Sequence, residues 1–187
     1  MKVITISGRA RHGKDTLANI IEKELTSEGY KVLITHYADL LKYICKQYFN
    51  WNGKKDKAGR TLLQYVGTDV VRKAKPDFWV SFMADFLTIF KSEWDVVIIP
   101  DTRFPNEVQY LKDAGLDVIH CHINRTNFDD GMTEEQRNHI SETAIFSIQP
   151  DFCFDNDGNL NDLKHKVTEW TEEIIVNGKR DYWKRIF

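Results

Sequence analysis

The chain lacks a cysteine framework. Its three cysteines, Cys45, Cys121 and Cys153, are isolated and odd in number, and without a CxxC pair they indicate neither a structural zinc site nor a disulfide scaffold. Such thiols are expected to be buried or half-buried in a reducing compartment. A charge excess is missing too: 26 basic residues against 28 acidic ones leave a net charge of −2. A general nucleic-acid binder needs a basic surplus, so nucleic acid is not an expected partner. No apolar run approaches bilayer-spanning length, and Met-Lys leads straight into a short apolar strand without a leader-like stretch. No membrane is expected as a partner, and the expected location is cytoplasmic. Repeats and low-complexity segments are also missing. The six histidines show no ligand spacing, which gives no reason to propose zinc.

What remains is a chain with material for a real core, 42% hydrophobic and 29% charged. Its 187 residues suit one domain with inserted lobes. Residues 3–7 read as a buried strand, followed at once by a glycine-bounded segment, 8–13. Leu17, Ile20, Ile21 and Leu25 then fall at helical spacing, and Gly29 closes that helix. Residues 31–37 form a second strand, so the opening is a βαβ unit with a right-handed crossover in a parallel sheet. Residues 40–49, 61–72 and 78–90 carry helical periodicity with no strand between them, which predicts a helical lobe inserted at 38–92. The sheet resumes at 95–100, an apolar run suited to a strand buried on both faces, and continues at 117–123 and 151–154. Helices are expected at 106–114 and 160–176, and a polar flap at 126–138. The expected fold is α/β, a three-layer sandwich around a parallel sheet of about five strands.

Gly8-Arg9-Ala10-Arg11-His12-Gly13-Lys14 matches GxxxxGK with a strand before it and a helix after it. Glycines let successive N–H groups turn inward as an anion nest at a helix N-terminus, and Lys14 would reach the β- and γ-phosphates. The Ser or Thr that usually follows the lysine and helps hold Mg²⁺ is replaced by Asp15, with Thr16 next. Asp15 either contacts the metal or its water shell, or favours the helix N-terminus electrostatically. Asp101 sits at a strand's carboxyl end, where open α/β sheets bind ligands. It would anchor Mg²⁺ through water or steer an acceptor, or else cap a helix. Arg103 offers a planar fork for phosphate.

The loop at 8–16, Leu63-Gln64-Tyr65-Val66-Gly67-Thr68-Asp69-Val70-Val71-Arg72, Asp101-Thr102-Arg103-Phe104-Pro105-Asn106-Glu107, His139-Ile140-Ser141-Glu142 and Asn156-Asp157-Gly158 follow in order. Together they resemble the phage-type deoxynucleoside monophosphate kinases, relatives of adenylate kinase in the P-loop superfamily. The resemblance implies a sheet core, a helical lobe at 38–92 for the monophosphate and a lid at 126–142, all in one kinase domain, 1–187. It implies ATP as donor, Mg²⁺ as cofactor and deoxynucleoside monophosphates as acceptors, with a homodimer allowed.

On that reading ATP meets Gly8, Arg11, His12, Gly13, Lys14, Asp15, Thr16 and Arg125. The acceptor meets Arg60, Gln64, Asp69, Arg72, Trp79 and Arg103. Lys14, Arg103, Asp101 and Arg137 serve the transfer, and Asp15 and Asp101 serve the metal. Trp51, Tyr65 and Trp79 give the lobe base-stacking capacity, although helix-spaced aromatics are more often core. Two alternatives stay open: a kinase of another phosphorylated small molecule, as in the animal phosphomevalonate kinases that share the loop variant, and a nucleotide-binding protein without transfer.

Overall fold

The computed structural model describes residues 1–126, 128 and 133–178. Of the predicted flap and lid, residues 127 and 129–132 lie outside the described residues. Five strands build one sheet in the order β2-β3-β1-β4-β5, and every pairing is parallel. They are β1 (Lys2–Ser7), β2 (Val32–Ile34), β3 (Val96–Thr102), β4 (Asp117–Asn124) and β5 (Phe152–Asp155). This is the expected three-layer α/β architecture.

Alternation along the strands divides the core in two. Ile4, Ile6, Ile98 and Ile119 face α1 (Lys14–Ser27) and α8 (Leu160–Trp170), where Leu17, Ile21, Val167 and Trp170 are buried. Val3, Val97 and Ile99 face α4 (Phe78–Ile89) and α5 (Pro105–Asp113), meeting Val80, Leu87 and Leu111. A fully buried side chain of this size contributes about 1.5–3 kcal/mol relative to exposure. Both faces of the sheet are therefore strongly held, and the loops at its carboxyl end rest on a stiff platform.

Between β2 and β3 the chain forms α2 (Ala38–Tyr48), α3 (Lys57–Gln64) and α4. Helix α3 starts earlier than its apolar spacing predicts, because Asp56 caps it by accepting from the Gly59 amide at 2.8 Å. It runs on as a π-helical stretch, Tyr65–Arg72. Cys45, Trp51 and Val66 form a small separate core here, with Leu41, Leu62, Leu63 and Val71 against it. After β4 come two short helices, α6 (Glu134–Asn138) and α7 (Ile140–Thr143), where the polar composition predicted a flap. No helix among the described residues is long and apolar enough to cross a membrane.

Candidate functional site

The glycine-rich loop closes over the carboxyl ends of β1 and β4. Gly8 has φ +152° and Gly13 φ +102°, and a methyl group at either would collide with its surroundings. A Cβ on Gly8 would lie 2.4 Å from the Ile123 carbonyl oxygen, and one on Gly13 2.7 Å from Asn156 Nδ2. Arg11 adopts φ +63°, a left-handed conformation uncommon for a residue that carries a Cβ. From just beyond the carboxyl ends of β5 and β4, Asn156 Nδ2 donates to the His12 carbonyl at 3.0 Å, and the Arg125 amide donates to His12 Nδ1 at 3.1 Å. Gly13 provides no side-chain cap for α1, so the helix presents its first amides toward the loop.

Lys14 turns back over this loop and donates to the carbonyls of Gly8 and Arg9, both at 2.8 Å. Burial, reinforced by the nearby Arg103 charge, brings its pKa down to about 8. The lysine is thus held over the nest by two weakly charged acceptors.

Beside the loop a cleft of about 390 Å³ opens toward the helices between β2 and β3. Its walls include Arg11, Lys14 and Asp15 from the loop, Arg60, Gln64, Arg72 and Trp79 from those helices, and Asp101, Arg103 and Glu142 from the sheet end and α7. Asp101 caps α2: its two oxygens accept from the Tyr37 and Ala38 amides, each at 3.0 Å. The sequence allowed a capping role, but the capped helix lies more than sixty positions away. Each oxygen keeps a second lone pair.

Two guanidinium groups of the cleft, those of Arg72 and Arg103, are already paired with carboxylates. Arg72 Nη2 donates to Glu107 Oε1 at 2.5 Å, and its plane lies 3.9 Å from the Phe104 ring centre. Arg103 Nη1 donates to the Ser141 carbonyl at 3.0 Å and to Glu142 Oε1. Glu142 is buried, and its Oε2 has no hydrogen-bond partner among the described residues. Glu107 also caps α5, its Oε2 accepting from the Arg103 amide at 2.7 Å and the Phe104 amide at 3.1 Å. Burial holds its pKa above the usual carboxylate range despite Arg72. Glu107 and Glu142 stand within the sequence motifs, but they meet the arginines only in three dimensions.

Trp79 is buried and donates from its indole nitrogen to the Gly67 carbonyl at 3.0 Å, so one part of it is core while another lines the cleft. Trp51 belongs to the small core instead and Tyr65 is exposed. Asp69 and Thr16 are exposed and do not line the cleft. Asp15 is exposed and lies 3.7 Å from His36 Nε2. The His36 imidazole lowers the Asp15 pKa, and Asp15 in turn raises that of His36, with Asp101 and Asp39 adding to the effect. His36 was not among the predicted residues: the strand expected at 31–37 enclosed it, whereas β2 ends at Ile34 and leaves His36 just beyond a strand's carboxyl end, where open sheets bind ligands.

A second cavity, of about 510 Å³, lies against Arg9, His12, His122, Asn124, Arg125, Phe128, Arg137 and Phe146. Arg125 stacks on Phe128 at 4.2 Å and Arg9 on Phe146 at 5.1 Å. The predicted residues therefore divide: Arg11, Lys14, Asp15, Asp101, Arg103, Arg60, Gln64, Arg72 and Trp79 share the cleft, while His12, Arg125 and Arg137 share the second cavity.

The family described as deoxynucleotide monophosphate kinase matches residues 34–167. This span begins beyond the glycine-rich loop, which stands on its own motif and geometry. A deoxynucleotide monophosphate kinase of Enterobacteria phage T4 is 33% identical over 110 residues, which make up 58% of this chain and 43% of that protein. Its counterpart in Escherichia phage RB69 is 31% identical over 110 residues, 58% of this chain and 42% of that protein. The match thus spans less than half the length of these relatives. Among solved structures, the Mycobacterium tuberculosis APS kinase in complex with AMPPNP and APS aligns with a TM-score of 0.52 at 14% identity, covering 91% of this chain and 97% of that one. That likeness concerns the fold.

Proposed function

Because the chain belongs to the deoxynucleotide monophosphate kinase family, we propose that it transfers the γ-phosphoryl group of ATP to a deoxynucleoside monophosphate. The observation that carries this reading is the meeting of an anion nest, Lys14 and two arginines in one cleft beside a helical insert. Phosphoryl transfer needs positioning and charge neutralisation more than covalent chemistry. The loop amides and Lys14 hold the donor phosphates. Arg72 and Arg103 take the acceptor phosphate, exchanging Glu107 and Glu142 for it. Trp79 and Gln64 border the base, with Arg60 at the rim. Residues 38–92 act as the acceptor lobe, and residues 126–142 as a lid that brings Arg137 over the reacting groups and excludes water. Arg125 and His12 lie on the donor side.

Asp15 and Asp101 supply the hard oxygens that Mg²⁺ prefers, and the spare lone pairs of Asp101 suit contact through water. Mg²⁺ would supply neutralisation of the donor phosphates, held by these carboxylates together with phosphate and water oxygens.

The test is an acceptor panel. The protein is given ATP and Mg²⁺ with each deoxynucleoside monophosphate, each ribonucleoside monophosphate and phosphorylated non-nucleotides, and the products are quantified. Diphosphate from one or more deoxynucleotides is expected. Transfer only to a non-nucleotide would overturn the substrate class, and ATP binding without transfer would leave a nucleotide-binding protein.

A pH dependence follows from Lys14. In the free protein it loses its proton at about pH 8, and bound phosphate favours the charged form. ATP affinity should therefore hold between pH 6 and 7, then fall above pH 8 by up to about tenfold per unit. Calorimetric titration across that range checks it. Lys14→Arg, which stays charged, should flatten the profile, and an equally steep fall in that variant would assign the effect elsewhere.

A further inference from the structure

Strand β1 is the centre of a parallel sheet, where continuous apolar side chains are the rule. On the α5 side it departs from that rule. Thr5 and Ser7 are fully buried and pair with β4 opposite His120 and His122. The four side chains form one hydrogen-bonded chain: Thr5 Oγ1 to His120 Nδ1 at 2.9 Å, Ser7 Oγ to His120 Nε2 at 3.0 Å, and Ser7 Oγ to His122 Nδ1 at 2.8 Å. Its last member, His122, lines the second cavity. Nothing in the phosphoryl-transfer reading uses this relay, yet buried polar groups are costly unless fully satisfied.

Two proton orders satisfy these contacts, and the surroundings of the two ends favour one of them. The Thr5 hydroxyl has a second acceptor in the Ile119 carbonyl, at 3.4 Å. When it donates there, His120 donates from Nδ1 to Thr5, Ser7 donates to His120 Nε2, and His122 donates from Nδ1 to Ser7. His122 Nε2 is then left as a bare lone pair. The cavity reinforces this from the other end, since Arg9, Arg125 and Arg137 surround it with cations, which favour a lone pair over another N–H. Burial and Lys14 lower the His122 pKa, and burial brings that of His120 down to about 4, so both rings are neutral at pH 7.

We propose that His122 is a ligand-contacting residue of the second cavity, offering Nε2 as an acceptor to a hydroxyl or amino group of a nucleotide whose phosphates meet the arginines. This rests on the reading of the second cavity as the donor side. Phosphate oxygens carry no donor at neutral pH and gain nothing from a bare nitrogen; the nucleoside half does. The relay makes that nitrogen bare without ionising it.

The test joins a spectroscopic readout with binding. In the free protein, ¹⁵N NMR of the imidazoles should show His122 protonated at Nδ1, the reverse of the usual preference of solvated imidazole. Binding of ATP and of inorganic tripolyphosphate, which has phosphates but no nucleoside, is then compared across variants. His122→Asn keeps a donor to Ser7 but loses the group facing the cavity; His122→Gln puts an amide oxygen near the Nε2 position. His122→Asn should weaken ATP binding about five- to tenfold with tripolyphosphate unchanged, and His122→Gln should restore most of it. An Nε2-protonated His122, or equal losses for ATP and tripolyphosphate, would overturn the proposal while leaving the donor-site reading intact. A wild-type protein that binds no ATP would overturn both.

Discussion

Replacing Lys14 by alanine should lower the transfer rate by about a thousandfold, the scale seen when a preorganised transition-state contact is removed. The lysine begins α1 and is fixed over the loop by the Gly8 and Arg9 carbonyls. An incoming phosphate needs only to exchange those two neutral acceptors for charged ones, so the cation is in place before the reaction begins. On the proposed assignment, alanine would leave the nest without the charge that accompanies the γ-phosphoryl group. The fold should survive, because α1 is anchored by Leu17, Ile21 and Leu25 rather than by Lys14. Stability even carries a signature of the wild-type lysine. Its folded pKa, about 8, lies below the ordinary 10.5, so the unfolded chain holds this proton more tightly. Burial of the charge therefore costs stability below pH 8, and the cost is relieved as pH rises from 8 to 10.5. Lys14→Ala should lack that rise. Single-turnover kinetics and melting at pH 7 and 9.5 check both halves; a variant within tenfold of the wild-type rate would contradict the assignment.

Glu107→Ala should destabilise the fold by about 3–5 kcal/mol, the range for breaking one side of a buried ion pair. Glu107 is almost fully buried and its two oxygens serve Arg72 and the amides of Arg103 and Phe104. Removing it leaves Arg72, half-buried on Phe104, with the Pro76 carbonyl and Asn106 Oδ1 but without its carboxylate, and leaves two orphan amides at the start of α5. The raised pKa shows that burial opposes the charge more than its partners favour it. Glu107→Gln, neutral and still an acceptor, should therefore cost less, about 1–2 kcal/mol. Urea unfolding separates the two variants. A loss under 1 kcal/mol for alanine would mean that Arg72 finds another partner and that the α5 cap is dispensable. Glu107→Ala should also weaken the acceptor step, since Arg72 loses the group that aims it into the cleft.

Periodicity made the sheet and most helices legible, because buried strands and amphipathic helices announce themselves within a few residues. The loop was legible for the same reason: Gly8, Gly13 and Lys14 act within one βα turn. What the sequence could not show were partners brought together by register and packing. The carboxylate of Asp101 caps α2 from the far side of the helical insert. Ser7 meets His120 and His122 only because β1 and β4 pair as they do, and Arg103 meets Glu142 only because α7 folds back on β3. Trp51 and Trp79 have the same residue type in the same lobe, yet one fills a core and the other lines the cleft. The π-helical continuation of α3 shifts the face that helical spacing would assign to Arg72.

On the proposed function, a phosphoryl group moves from ATP to a deoxynucleotide across this cleft. The most direct measurement follows ATP, Mg²⁺ and each deoxynucleoside monophosphate in turn by ³¹P NMR with the purified protein. New deoxynucleoside diphosphate signals growing in step with ADP, and no inorganic phosphate, are expected for at least one acceptor. Loss of ATP to inorganic phosphate alone, or no change with any deoxynucleotide, would contradict the account.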